Sequence, residues 1–234
     1  MTRREAILAI GALPAAPAVP LFDGVGFRNF RTPTGLTSPA VSWRIRDGAI
    51  EAIGDARRQC DLWTAREYDN FDLEFEWKVA PGGNSGIKYL IQASATDHLR
   101  DEQGEFIHET SLGFEFQLVD DASPAGADNP THASGALYNY LPPTERAALP
   151  AGQWNTGRLR VRGEQVDHWV NGKQVLAYTL HSPELKAALA AKRMNSARML
   201  ERLVLRRTAI AFQHHHSVVA YRGIRIEALP PAES

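Results

Sequence analysis

The sequence predicts an all-β protein, a jelly-roll sandwich of two antiparallel sheets with one short helix near residues 183–193. Three observations predict it. Short runs of alternating apolar and polar residues recur along the chain, and Gly, Pro, Asn or Asp separates them. Only one stretch carries clear helix-start chemistry. Ten or so short strands spaced by turns fit a two-sheet sandwich.

The elements follow in order. Trp43–Arg46 and Ala49–Ile53 flank Asp47-Gly48, a hairpin signal because both turn positions need a positive φ. Phe71, Leu73, Phe75 and Trp77 share one face of a strand, with Asp72, Glu74 and Glu76 on the other. The turn Pro81-Gly82-Gly83-Asn84 leads into a strand from Ser85 to Gln92. Gly113–Val119 alternates again, so Glu115 and Gln117 point together, opposite Phe114, Phe116 and Leu118. Ala136–Leu141 reads as a short strand after a loop. Trp154–Arg162 and Gln165–Val170 are split by Gly163, and Asn171-Gly172 turns into Gln174–Tyr178. Ser182 as N-cap and Pro183 at the first position start the helix. Met194–Arg207 fits either a helical continuation or a loop. Ile210–Gln213 and Val218–Ala228 close the sheets.

Composition narrows the classes. Of 234 residues, 44% are hydrophobic, enough for a sizeable core. Lys and Arg total 26 against 27 for Asp and Glu, so no general field draws nucleic acid. No basic stripe with interleaved aromatics appears either. The single cysteine, Cys60, precludes an intrachain disulfide and reads as a small buried hydrophobe.

Residues 1–18 read as an export signal peptide: Arg3-Arg4, the apolar stretch Ala6–Leu13, then Ala16-Pro17-Ala18. The arginine pair suggests the twin-arginine route, which implies a periplasmic or secreted protein. The apolar stretch is too short to span a ~30 Å hydrocarbon layer. Residues 20–230 form one domain, without membrane insertion after the signal is removed.

Several segments then match a known family in order. They are Leu21-Phe22-Asp23-Gly24, Asp61-Leu62-Trp63-Thr64, Pro81 to Tyr89, Gly113 to Asp120, Ser134 to Tyr138, Trp154-Asn155, His168 to Gly172, Phe212 to His215 and Tyr221 to Ile226. Through them the chain resembles the 3-keto-disaccharide hydrolase family, whose members look like concanavalin- or laminin-G-like jelly rolls. Two positions depart from the family pattern. Gln213-His214-His215-His216 stands where Gln-Asp-His-Gly is common, and Arg222-Gly223 where Arg-Asn is common.

The resemblance implies a small carbohydrate substrate oxidised at C3 of a sugar ring. A ketone at C3 acidifies the C2 proton, and its removal lets the C1 substituent leave by β-elimination. Water addition then completes hydrolysis. That chemistry needs a base at C2, a stabiliser for the O3 oxyanion and an acid at the leaving oxygen. Glu115 is the candidate base, and His215 the candidate acid or a ligand of a divalent metal ion. Lys88 and Arg222 are candidate cationic stabilisers. Trp63 and Tyr138 are candidate sugar platforms, and Asn84, Gln117 and His132 complete the expected substrate contacts. His168, on a strand entering a tight turn, reads as structural. Two rival readings stand beside this one. One is a non-catalytic carbohydrate-binding module using the same cleft. The other is a retaining endo-glucanase using Asp72, Glu74 and Glu76, since such enzymes place two carboxylates ~5–5.5 Å apart.

Overall fold

The computed structural model describes residues 17–192 and 195–232. The expected signal peptide therefore lies, except for its last two residues, outside the described residues. The strands are β1 (Val19–Pro20), β2 (Phe30–Arg31), β3 (Trp43–Arg46), β4 (Ala49–Ala52), β5 (Arg58–Cys60), β6 (Leu62–Thr64), β7 (Phe71–Val79), β8 (Asn84–Asp101), β9 (Gly104–Val119), β10 (Asn155–Arg162), β11 (Gln165–Val170), β12 (Lys173–Thr179), β13 (Ala211–Phe212) and β14 (Val219–Ala228). The helices are α1 (Pro124–Ala127), α2 (Pro183–Ala191) and α3 (Asn195–Arg202).

Two sheets pack face to face as a jelly-roll sandwich. The larger has the order β12-β11-β10-β7-β14-β4-β3, with β1 added on β14. The smaller has the order β2-β6-β13-β8-β9-β5. Every pairing is antiparallel except β5 on β9, which is parallel. The inner faces interdigitate Trp43, Phe71, Leu73, Phe75 and Trp77 from one sheet with Ile87, Tyr89, Phe114, Phe116 and Phe212 from the other. Each of these aromatic or aliphatic side chains is almost wholly removed from water. Such burial is worth roughly 1.5–3 kcal/mol per residue before the entropy of ordering is charged against it.

Local chemistry accounts for the hairpins. Asp47 and Gly48 have φ of 50° and 71°, the left-handed pair that a two-residue turn of primed type needs. Ser182 caps α2, its hydroxyl accepting from the Leu185 amide at 3.2 Å. Cys60 is buried as expected. His168 is a core residue: its ring stacks on Phe116 at 4.4 Å and bonds Tyr89 Oη and the Gly135 carbonyl. Burial pushes its pKa down to about 4, so it stays neutral.

Three expectations are corrected. The helical region holds two helices, α2 and α3, that pack on one another. Residues 136–141 form a tight turn rather than a strand, with isolated bridges from Leu137 to Phe116 and to Leu141. And β8 and β9 run far past residues 92 and 113, as one long hairpin. The hairpin bends where the β8–β9 register shifts between Tyr89 and Ala93. Thr110 and Ser111 of β9 bond Lys88 and Asp61.

Candidate active site

The cleft lies on the face of the smaller sheet turned away from the core. Strand parity puts it there. Phe114, Phe116 and Leu118 of β9 enter the sandwich, so Glu115 and Gln117 stand on the opposite face. Register then aligns neighbours: Lys88 of β8 is opposite Glu115, Gly86 is opposite Gln117, and Ala211 of β13 lies between Lys88 and Trp63 of β6. Gln213 follows β13 and its amide bonds the Gly86 carbonyl. The turn at 136–141 closes one side, with the Tyr138 amide bonded to the Glu115 carbonyl. The hollow has a volume of about 220 Å³, and Lys88, Glu115, Tyr138 and Gln213 line it, with Ser196 and Leu200 of α3 as a wall.

Glu115 is the centre. Its carboxyl is buried, and burial pushes its pKa up to about 7; Lys88 pulls it down and Asp61 pushes it further up. Two amides face it. With its N–H turned to the carboxylate, Gln117 donates to Oε1 at 3.0 Å and to the Ser85 carbonyl at 3.1 Å. Gln213, oriented the same way, donates to Oε1 at 3.3 Å while its oxygen accepts from Lys88 Nζ at 3.3 Å. One neutral amide thus separates ammonium from carboxylate. Asn84 meets the Gln117 side chain at 3.1 Å.

Lys88 is only 5% exposed. Its ammonium donates to Thr110 Oγ1 at 2.8 Å and to Asp61 Oδ2 at 3.3 Å. Asp61 is fully buried at the junction of β5 and β6. It is a site residue that sequence reasoning missed, since a lone Asp before a strand carries no spacing signal. Gln213 was quoted only as part of a motif, and its place between two charges is equally invisible in one dimension.

The remaining candidates divide. His132 is beside Tyr138, its ring 4.8 Å away, and contacts Asn129 and Asn139. It braces the platform instead of facing the hollow. Trp63 donates to Ser111 Oγ at 2.7 Å, and the Arg31 guanidinium covers its ring at 4.7 Å. His215 stands exposed two residues beyond Gln213, its ring 6.0 Å from that of His216. Desolvation on its inner side lowers its pKa, and positive charge at His216, His108 and Lys88 lowers it further.

Arg222 does not join the cleft, which corrects the expectation. It sits on β14 of the larger sheet, where Tyr221 turns inward and Arg222 outward. There it pairs with Glu76 and stacks over Trp154 at 4.0 Å. The acids Asp72, Glu74 and Glu76 share that outer face. Asp72 is held by Arg158 through two hydrogen bonds of 2.8 and 2.6 Å. Position 214 is also informative. The His214 ring faces inward against Trp43 and bonds the Ile53 carbonyl at 3.0 Å. Burial holds its pKa near about 4. A side chain at 214 is therefore not a cleft group in this chain.

The polar groups of the cleft are of mixed charge. The carboxylates of Glu115 and Asp61 have the Lys88 ammonium between them, and the other side chains that bond Lys88 and Glu115 are amides and a hydroxyl. Among the described residues no three His, Cys, Asp or Glu side chains are grouped to hold a metal. Among those residues, too, no helix is long and apolar enough to cross a membrane.

Comparison with known proteins fits this geometry. The family model for the 3-keto-alpha-glucoside-1,2-lyase-like domain matches residues 17–227. A 3-keto-disaccharide hydrolase from Bacteroides thetaiotaomicron is 31% identical over 231 residues, covering 90% of this chain and 78% of that protein. Two crystal structures of glycosyl hydrolase candidates from Parabacteroides distasonis share the fold. One has a TM-score of 0.73 at 23% identity, covering 91% of this chain and 94% of its own. The other has a TM-score of 0.60 at 20% identity, covering 86% and 99%.

Proposed function

Because this chain belongs to the 3-keto-alpha-glucoside-1,2-lyase-like family, we propose that it cleaves glycosides oxidised at C3, by abstraction of the C2 proton and elimination at C1. The observation that carries this reading is a single available base: one buried carboxyl, Glu115, with its pKa raised to about 7 beside a buried ammonium. Ordinary glycosidases need two carboxylates across the scissile bond. Here the second nearby carboxylate, Asp61, accepts two backbone amides and Lys88 and is inaccessible. Elimination next to a ketone needs only one.

In this reading the sugar ring enters over Gln213 with C2 towards Glu115 and the C3 oxygen towards Lys88. Glu115 takes the C2 proton, and negative charge moves to O3. The Lys88 ammonium stabilises that charge in a hollow shielded from water, where such an interaction is strongest. The departing C1 oxygen takes up the proton that Glu115 has just removed, because the lowered pKa of His215 makes that side chain a poor donor near neutrality. Water returning to the double bond restores C1–O and C2–H and completes net hydrolysis. Tyr138 backs the ring, and Asn84 and Gln117 order the far end. A pure binding module has no use for a carboxyl poised to titrate near neutrality.

The test is incubation with a 3-keto-disaccharide in deuterated water, followed by mass spectrometry. Sugar release with deuterium at C2 is expected, and none from the unoxidised disaccharide. Tight binding of an unoxidised glycan without turnover would favour the binding module instead.

A further inference from the structure

We propose that Asp61 is a positioning residue that holds the Lys88 ammonium beside the reacting carbons as an electrostatic clamp, its nitrogen bonded on all sides and unable to attack the ketone. The inference rests on the reaction proposed above. A buried lysine next to a ketone substrate has two possible roles: the ammonium binds the O3 oxyanion, or the free amine forms an imine at C3. The geometry decides between them. Three acceptors surround Lys88 Nζ: Asp61 Oδ2 at 3.3 Å, Thr110 Oγ1 at 2.8 Å and the oxygen of Gln213 at 3.3 Å. An ammonium has three N–H donors and no lone pair, so this shell matches the charged form.

Asp61 is what makes the shell rigid. Its Oδ2 also accepts from the Ser111 amide at 2.7 Å, and its Oδ1 from the His214 amide at 3.0 Å. These donors come from β9 and from the segment after β13, while Asp61 itself joins β5 to β6. Held from both of those segments, the carboxyl cannot turn away from Lys88, so its contact fixes where the lysine nitrogen stands. Of the three acceptors around Nζ, Gln213 is the one that also reaches the Glu115 carboxyl. The Gln213 oxygen is the one an enediolate oxygen displaces, after which the ammonium faces the substrate while Asp61 and Thr110 still hold it.

The charged groups around Glu115 are Lys88 and Asp61, with the exposed His215 two residues beyond Gln213; the phenols of Tyr138, Tyr89 and Tyr221 border it from the turn and the core. Removing the charge of Asp61 leaves Lys88 to pair with Glu115 directly. The base then becomes weaker and titrates lower.

The experiment compares wild type with Asp61→Asn on a 3-keto-disaccharide across pH. The expected result is a fall in kcat of about 10- to 100-fold, the range seen when the partner of a site group is removed. KM should change little, and the acid limb of kcat/KM should move to lower pH. A variant with unchanged kcat and an unchanged acid limb overturns the inference. Asp61 also holds two backbone amides, so a second measurement needs no variant. Wild type turning over substrate is treated with cyanoborohydride, and the Lys88 peptide is weighed. No adduct is expected, and a reduced sugar adduct on Lys88 overturns the proposal. Wild type that releases no sugar at all rejects the reaction itself, which separates that failure from this one.

Discussion

The carboxyl of Glu115 lies over the α-carbon of Gly86, so closely that a methyl group at position 86 would stand 2.5 Å from Oε1 and 2.7 Å from Cγ. The contact crosses from β9 to β8, and it reserves the floor of the cleft for the acid side chain. Glycine here serves close approach, as its φ is not in the left-handed region.

Gly86→Ala should therefore disable the site without unfolding the sandwich. The methyl drives the carboxyl off the Gln117 and Gln213 amides. A loss in kcat/KM of about 10²-fold is expected, as for a misplaced catalytic group. Circular dichroism and thermal melting check that the fold survives. Wild-type turnover would show that the carboxyl position is not critical.

The rate should titrate with Glu115. A base must be ionised to act, so kcat/KM should rise as pH increases through about 7 and then level. Glu115→Gln should lower kcat by roughly 10²–10⁴-fold and abolish that limb. Steady-state rates across pH provide the check, and a limb near the ordinary carboxylate range would point to another base.

The same residue has an opposite effect on stability. Its pKa rises from 4.5 unfolded to about 7 folded, so between those values the native state binds the extra proton. Stability then falls as pH rises from 4.5 to about 7, by about 3 kcal/mol at most, and the loss persists above 7. Glu115→Gln removes the penalty. The inactive variant should melt higher than wild type at alkaline pH, with the gap closing in acid. Equal melting temperatures at all pH values would contradict the buried, raised carboxyl.

The outer face of the larger sheet should be silent in turnover. Glu74→Gln and Arg222→Ala are expected to change kcat/KM by less than about twofold, since surface changes away from the cleft act weakly. Hydrolysis of unoxidised β-glucan that disappears in Glu74→Gln would revive the endo-glucanase reading.

Much of this was legible in the sequence where parity alone decides. The alternation of Phe114, Glu115, Phe116, Gln117 and Leu118 fixes which side chains meet water, and the structure agrees. Parity does not say which sheet a strand joins. Arg222 is expected in the cleft as a cationic stabiliser, yet β14 pairs with β7 and β4 in the other sheet. The distal half of the β8–β9 hairpin was missed because residues 96–101 are exposed on both faces and show no apolar alternation. Asp61 was missed because its partners, Ser111 and His214, lie far along the chain. The histidine at 214 stands where the family commonly has Asp. Its ring lies in the core against Trp43, so the substitution there concerns packing.

The cleft draws its groups from positions 61, 88, 115 and 213, which are distant in sequence and meet only when β5–β6, the long hairpin and β13 are all paired. Contacts of such high sequence separation are late and slow to form, because loop closure must be paid for first. Catalytic competence is thus a property of the completed chain topology and belongs to no shorter fragment. On refolding, recovered activity should trail the recovery of strand signal.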